Sequence, residues 1–217
     1  MKKLMMMVSL MLLTLTVNAQ SGFGLMGGVN SSTSSANDVG WRTGGFIGGL
    51  YDIQLNNWFY LQPRLVLSYQ ENQREVKNTL STPSKSLGNE FYSQWNVTIP
   101  LLASFRMSLS DKSALRLNVG PYIQYAIFGR EKNVYYYNAG QTIQSYGETS
   151  QVPAGVSDLK WWHYDFGDKI TYGGQVGLQF EHKKFFGTLD YKHSFHRNQL
   201  NMNGFENTLQ LGIGYKF

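Results

Sequence analysis

Eight stretches of this chain alternate apolar and polar residues with a period of two. They run over residues 22–30, 41–53, 58–70, 91–108, 114–128, 170–181, 185–195 and 205–217. Alternation of this kind gives a strand two unlike faces. In the last stretch Leu209, Leu211, Ile213, Tyr215 and Phe217 share one face, while Gln210, Gly212, Gly214 and Lys216 share the other. No segment after Gln20 carries a helical period, and no apolar run there is long enough to cross a bilayer as a helix. A membrane location would therefore require a closed β-barrel, the other structure that satisfies its backbone in lipid.

Composition agrees with strands. Aromatics make up 15% of the 217 residues and there are 23 glycines, a mixture that favours strands and tight turns. The absence of cysteine excludes disulfide frameworks, thiolate metal sites and a lipid-modified cysteine anchor. The formal charge of +5 is spread thinly along the chain and gives no footprint for nucleic acid.

The first 19 residues read as a secretory signal peptide. Lys2 and Lys3 form a basic start, an apolar stretch follows to Val17, and Ala19 stands where a signal peptidase requires a small residue. The apolar stretch is short for a membrane span, which needs about 20 residues. Residues 20–217 then form one barrel domain.

The connections alternate in length. Short turns lie around Asn56-Asn57, at Leu109-Ser110-Asp111-Lys112 and at His182-Lys183-Lys184. Long polar loops are expected near residues 31–40, 71–90, 129–169 and 196–204. Short turns at one end and long loops at the other are typical of bacterial outer-membrane barrels, with the short turns in the periplasm.

Two closed arrangements fit the alternation: a soluble lipocalin-like carrier with the apolar face inside, and a membrane barrel with it outside. Three features select the membrane barrel. Glycines gather on the polar face, at positions such as 24, 28, 44, 48, 120, 173, 177, 212 and 214, where side chains would crowd toward a barrel axis. Aromatics on the apolar face fall at the strand ends. Phe23, Tyr51, Phe59, Phe105, Phe180, Phe185, Tyr215 and Phe217 lie at the short-turn end, and Trp41, Tyr69, Trp95, Tyr125, Tyr172 and Phe195 at the other. The ten-residue spacings Phe59–Tyr69 and Trp95–Phe105 give a band roughly 25 Å tall on tilted strands, the height of the apolar belt in such barrels. The expected fold is all-β: an eight-stranded, antiparallel, up-and-down transmembrane β-barrel in a bacterial outer membrane.

The whole stretch after the signal resembles the PorT-like family of small outer-membrane β-barrel proteins, common in Bacteroidetes. The carrying segments are VNAQSGFGLMGGVN, VTIPLLASFRM, LRLNVGPYIQYAIFG and the final GYKF. The resemblance implies an eight-stranded barrel and transfers no catalytic motif. Separately, the terminal Phe217 on the lipid face resembles the C-terminal signal by which outer-membrane barrels are recognised for insertion, which implies the barrel-assembly machinery as a partner at that stage.

Candidate chemistry lies both inside and outside the barrel. An eight-stranded interior is just wide enough to fill with side chains. Arg42, Arg64, Arg106, Arg116, Lys192 and Lys216 are expected inside with Asp52 and Asp190, alongside Phe46, Tyr60, Tyr122, Phe128 and Phe186. A plugged lumen is favoured over a narrow anion path. His193-Ser194 suggests a lipid hydrolase, but adjacent strand residues point to opposite faces. His163, Asp165 and Asp168 are a weak metal candidate. The expectation is no enzyme activity, no cofactor and no metal.

The most informative loop is 129–169. Its candidate contact residues are Tyr135, Tyr136, Tyr137, Trp161, Trp162 and Tyr164, types favoured at binding surfaces. The expected partners are outer-membrane lipid, the barrel-assembly machinery and an extracellular protein or glycan, with no nucleic acid. The working reading is a non-enzymatic surface-interaction or envelope and secretion accessory protein. The alternatives are a narrow channel and, third, a soluble carrier of hydrophobic ligands.

Overall fold

The computed structural model describes the backbone of residues 22–35, 41–78, 86–135, 143–145, 148–150, 155–160, 169–196 and 204–217, and side chains outside 72–92 and 130–168. The signal segment 1–19 lies outside the described residues. Among the described residues eleven strands follow in chain order: β1 (Gly22–Ser34), β2 (Arg42–Gln54), β3 (Phe59–Asn78), β4 (Ser86–Ser110), β5 (Ser113–Tyr135), β6 (Ile143–Ser145), β7 (Glu148–Ser150), β8 (Gly155–Lys160), β9 (Ile170–His182), β10 (Phe185–Ser194) and β11 (Glu206–Lys216). Eight of them close a ring in the order β4-β3-β2-β1-β11-β10-β9-β5, with β5 returning to β4. All the pairings are antiparallel. The barrel is therefore the expected up-and-down one.

The stagger follows from the pairing. Gly24 pairs with Leu50 and Leu50 with Arg64; continuing the register leads to Pro100, then Tyr122, Gly173 and Ser194, then Glu206, which pairs with Ser34. The path returns to β1 ten residues from its start. With about 3.3 Å per residue and about 4.8 Å between strands, that offset over eight strands tilts them about 40° from the axis.

The two faces sort as the alternation requires. Along β9 and β10 burial switches at nearly every residue. The lumen face includes Asn30, Gln62, Arg64, Thr98, Asn118, Gln175, Asp190 and Gln210, all buried. The outer face leaves Ile47, Leu65, Leu101, Leu117, Leu178, Leu189, Leu211 and Ile213 exposed, Ile213 at 77%. An uncharged belt that exposed is solvated by hydrocarbon, not water. Aromatic contacts cap the belt at both ends. Phe59 lies 5.3 Å from Phe105, and Phe185 lies 5.2 Å from Tyr215, at the short-turn end. Tyr69 lies 5.1 Å from Trp95 at the other.

Local signals explain the turns. At the β2–β3 turn the Asn56 carboxamide oxygen accepts the Trp58 and Phe59 amides at 2.9 and 2.8 Å, an Asx turn. Inside, Phe186 lies over Gly214, where an added Cβ would come within 2.2 Å of its ring. Aromatic cover of a strand glycine holds register and fills the lumen together. Phe186 joins Met26, Phe46, Leu50 and Val66 in a small apolar cluster within the barrel.

Two expectations are corrected. Residues 71–90 and 129–169 are not loops throughout. β3 continues to Asn78, β4 begins at Ser86, β5 continues to Tyr135, and β8 pairs with the end of β5. Beyond the outer girdle neither face meets lipid, so the strands lose the apolar alternation that marks them lower down. Phe128 is 66% exposed and points outward, not into the lumen. A register shift between Trp95 and Asn96 pairs Trp95 with Phe128 and Asn96 with Ala126. The extra residue, Ile127, is a β-bulge that turns the following side chains to the other face.

Candidate functional site

The lumen is organised from the strands inward. Arg64 on β3 and Asp190 on β10 lie four strands apart on an eight-strand ring, diametrically opposite. Their side chains meet across the centre, Nη1 to Oδ2 at 3.0 Å. The glycine at 177 makes room, since a Cβ there would fall 2.0 Å from Asp190 Oδ1. Gln175 Nε2 donates to that oxygen at 3.0 Å, and Arg64 Nε donates to Gln62 Oε1 at 2.9 Å. Toward the short-turn end Gln62 Nε2 donates to Asp52 Oδ1 at 2.6 Å. Asp52 also pairs with Arg116 Nη1 at 3.1 Å, and Arg116 Nε pairs with Glu181 at 2.8 Å. The Lys216 ammonium bridges Asp52 and Glu181. The Arg116 guanidinium lies 4.3 Å over the Tyr60 ring, a favourable cation–π placement.

The outer half of the lumen is built mainly from amides and hydroxyls. Thr98 Oγ1 and Lys192 Nζ both donate to Gln124 Oε1, at 3.0 and 3.4 Å. Gln124 Nε2 donates to Glu206 at 3.3 Å, and Ser32 Oγ donates to Gln70 at 2.7 Å. Among the described residues, buried polar atoms of Asn30 and Ser68 in this half, and of Thr188 nearer the short turns, have no hydrogen-bond partner. Groups of that kind call for water.

The inward charges expected from alternation are where they were expected. Arg42, Arg64, Arg116, Lys192, Asp52 and Asp190 are buried, and Arg106 stands at the mouth, 3.9 Å from Glu181. Glu181 and Glu206 are two further inward carboxylates that the sequence reading missed. Each stands at the end of its alternating stretch, where parity was the available signal and was not carried through. They reduce the inward positive excess to six cations against four carboxylates among the described residues.

His193 and Ser194 stand on opposite faces. His193 Nδ1 lies 2.8 Å from Asn207 Oδ1, whereas Ser194 is buried and its Oγ accepts the Glu206 amide at 2.6 Å. The pair is not assembled for proton transfer. The backbone of Tyr135 ends β5 and pairs with Gly155. Tyr136, Tyr137, Trp161, Trp162 and Tyr164 lie outside the described residues, as do His163, Asp165 and Asp168. Among the described residues no cluster of His, Asp and Glu could hold a metal.

A closed barrel with a charged lumen, an apolar belt and two aromatic girdles defines the class: an integral protein of the bacterial outer membrane, crossing it by strands. No helix of the described residues is long and apolar enough to cross. The chain belongs to the outer membrane protein beta-barrel domain family, whose model matches residues 18–199. Among solved structures it is similar to Ail, the attachment invasion locus protein of Yersinia pestis, at 16% identity over 93% of this chain and 100% of that one, TM-score 0.42. It is also similar to Neisserial surface protein A, at 13% identity over 93% and 100%, TM-score 0.41. A comparison with curated proteins finds no match.

Proposed function

We propose that this barrel is a non-conducting, non-enzymatic anchor that presents an extracellular contact surface to a protein or glycan. The observation that carries the reading is the projection of one side of the barrel. β3 runs nine residues past the girdle residue Tyr69, to Asn78, and β4, β5 and β8 pair alongside it. On strands tilted about 40° this raises a sheet roughly 22 Å above the girdle. Among the described residues the β3 edge beyond Glu71 and the outer edge of β8 have no strand partner, and an unpaired edge is a ready surface for strand addition; the aromatics of residues 136–164 lie in the stretch of chain that follows β5 in sequence. Within the family, the strands VTIPLLASFRM and LRLNVGPYIQYAIFG favour a PorT-like envelope or secretion accessory. The test is replacement of residues 130–168 by a short turn. The variant should insert as a folded barrel and lose binding of purified extracellular protein and glycan ligands to cells. Unchanged binding across such a panel would sink the proposal.

A narrow channel is the second reading. It is favoured by the unpartnered polar atoms of the outer lumen and opposed by the Arg64–Asp190 crossing. Planar-bilayer recording separates the two: steady single-channel steps from the purified protein would establish the channel.

A further inference from the structure

The lipid face is not uniformly bulky. Near the short-turn end, β1, β9, β10 and β11 frame a groove of about 560 Å³, lined by Leu25, Gly27, Phe180, Phe185, Gly187 and Ile213. Its floor is low because Gly27 and Gly187 stand where neighbours carry large side chains. A Cβ added at Gly187 would meet nothing closer than the Gly212 carbonyl oxygen at 3.8 Å. The groove is almost wholly apolar, and its lower end reaches His182 and Tyr215.

The turn at that end is basic. His182, Lys183 and Lys184 link β9 to β10, and the Lys183 amide donates to the Lys112 carbonyl oxygen at 2.7 Å, bringing the neighbouring turn alongside. The Lys184 ammonium lies 5.6 Å over the Tyr215 ring, at the groove's mouth. Among the described residues no carboxylate forms an ion pair with Lys183 or Lys184; Asp111 in the neighbouring turn is the nearest acidic residue in sequence to Lys112. Lys183 also has φ 55°, the one non-glycine residue with positive φ among those described. Asparagine or glycine fits that conformation more readily. A two-residue hairpin turn sets that conformation, and it holds the adjacent lysines at the tip of the turn.

We infer that this groove and turn form one binding site for an anionic glycerophospholipid of the periplasmic leaflet. One acyl chain lies in the groove over Gly27 and Gly187. The headgroup phosphate sits between the ammonium groups of Lys183 and Lys184, with Tyr215 at the boundary between chain and headgroup. The chemistry recognised is a phosphate headgroup of net negative charge attached to an apolar chain. The site uses neither the lumen nor the projecting sheet.

The test is native mass spectrometry of the detergent-purified, full mature barrel titrated with phosphatidylglycerol, with phosphatidylcholine of the same chains, and with glycerol phosphate. Phosphatidylglycerol should bind in one saturable step, more tightly than phosphatidylcholine. Lys184→Gln should weaken phosphatidylglycerol roughly fivefold, the equivalent of about 1 kcal/mol for one lysine near an anionic surface, and weaken phosphatidylcholine less, because choline already neutralises its phosphate. Gly187→Leu should weaken both lipids by filling the groove. Far-ultraviolet circular dichroism should show each variant folded, and the lipid-facing position of Gly187 keeps that change out of the lumen. Glycerol phosphate binding as tightly as phosphatidylglycerol would show a phosphate site without a lipid site. That result overturns the inference, as does equal binding of both lipids by the native protein and Lys184→Gln.

Discussion

The two sides of the barrel are built differently. On one side β9, β10, β11 and β1 have 10 to 13 residues each, and their mutual ladders run without a gap. On the other side β3, β4 and β5 have 20, 25 and 23 residues and carry the projecting sheet. Here each ladder is cut at membrane depth. The β2–β3 register skips Tyr51 and Asp52, opposite Pro63 and Gln62; the β3–β4 register skips Arg64 and Leu65, opposite Pro100 and Ile99; the β4–β5 register skips Leu101 and Leu102, opposite Pro121 and Gly120. Three prolines, each without an N–H to give the preceding strand, set the gaps on one row around the barrel. The short side is a continuous anchor. The long side carries the projecting sheet and is weakest in its backbone pairing within the belt. What ties the two together is the lumen, where Arg64 of the long side reaches Asp190 of the short side.

The largest effect expected follows from that tie. Arg64→Met leaves Asp190 hydrogen-bonded to Gln175 and without its ion pair, with the buried Lys192 ammonium acting on it only at longer range. Breaking a buried pair from one side costs about 3–5 kcal/mol. Arg64→Met combined with Asp190→Leu should recover most of that loss, because no charge is then stranded. Urea unfolding in detergent, with a double-mutant cycle, measures it. An Arg64→Met cost below about 1 kcal/mol, well short of a broken buried pair, would mean that the two sides hold together by their ladders alone. The comparison would then lose its physical basis.

The next effect asks whether both sides meet the same hydrocarbon. Leu101 on the long side and Leu211 on the short side are both exposed, at 45% and 58%, and each lies four residues from a short-turn girdle aromatic, Phe105 and Tyr215. Arginine at either position should cost roughly 2–4 kcal/mol, as expected for a charge near mid-depth in a barrel wall. Equal costs place the belt level around the barrel. A much cheaper Leu101→Arg would show water or bilayer thinning at the proline row. Thr98→Arg, one strand face away, tests the lumen instead. It should act through crowding against Gln124, with no dependence on bilayer thickness.

The same contrast explains what the sequence disclosed. Within the belt, lipid and lumen are two different solvents, so every second residue of β1, β9, β10 and β11 reports its face. That is why the eight strands, their direction and nearly all inward charges were legible. Above the girdle the contrast vanishes, and residues 71–78, 86–90 and 129–135 read as loop although they pair as strands. Phe128 was misplaced because one bulge residue, Ile127, inverts parity without any compositional mark. Cross-lumen partners were illegible for a different reason. Arg64 finds Asp190 only through the ten-residue stagger, a property of the closed ring and of no single strand.

The smallest effect concerns the gaps themselves. Pro121 faces outward, so Pro121→Val disturbs no lumen packing. The new amide faces the break in the β4–β5 register beside Leu101. Restoring a ladder hydrogen bond is worth about 0.5–1.5 kcal/mol. Removing proline frees the unfolded chain and takes back about 0.4–1 kcal/mol. The net change in stability should therefore be close to nil, and amide exchange is the sharper readout. If the missing donor makes the gap, the amide introduced at position 121 should be protected about as well as that of Val119, two residues away. An introduced amide that exchanges as fast as one in the β2–β3 turn would mean that the strands are held apart there by something else. Gly120 would be the place to look: with no Cβ it lets the Leu101 carbonyl oxygen come within 2.1 Å of where a Cβ would stand, so β4 and β5 approach closely there, and that local geometry would set the register break whatever residue follows.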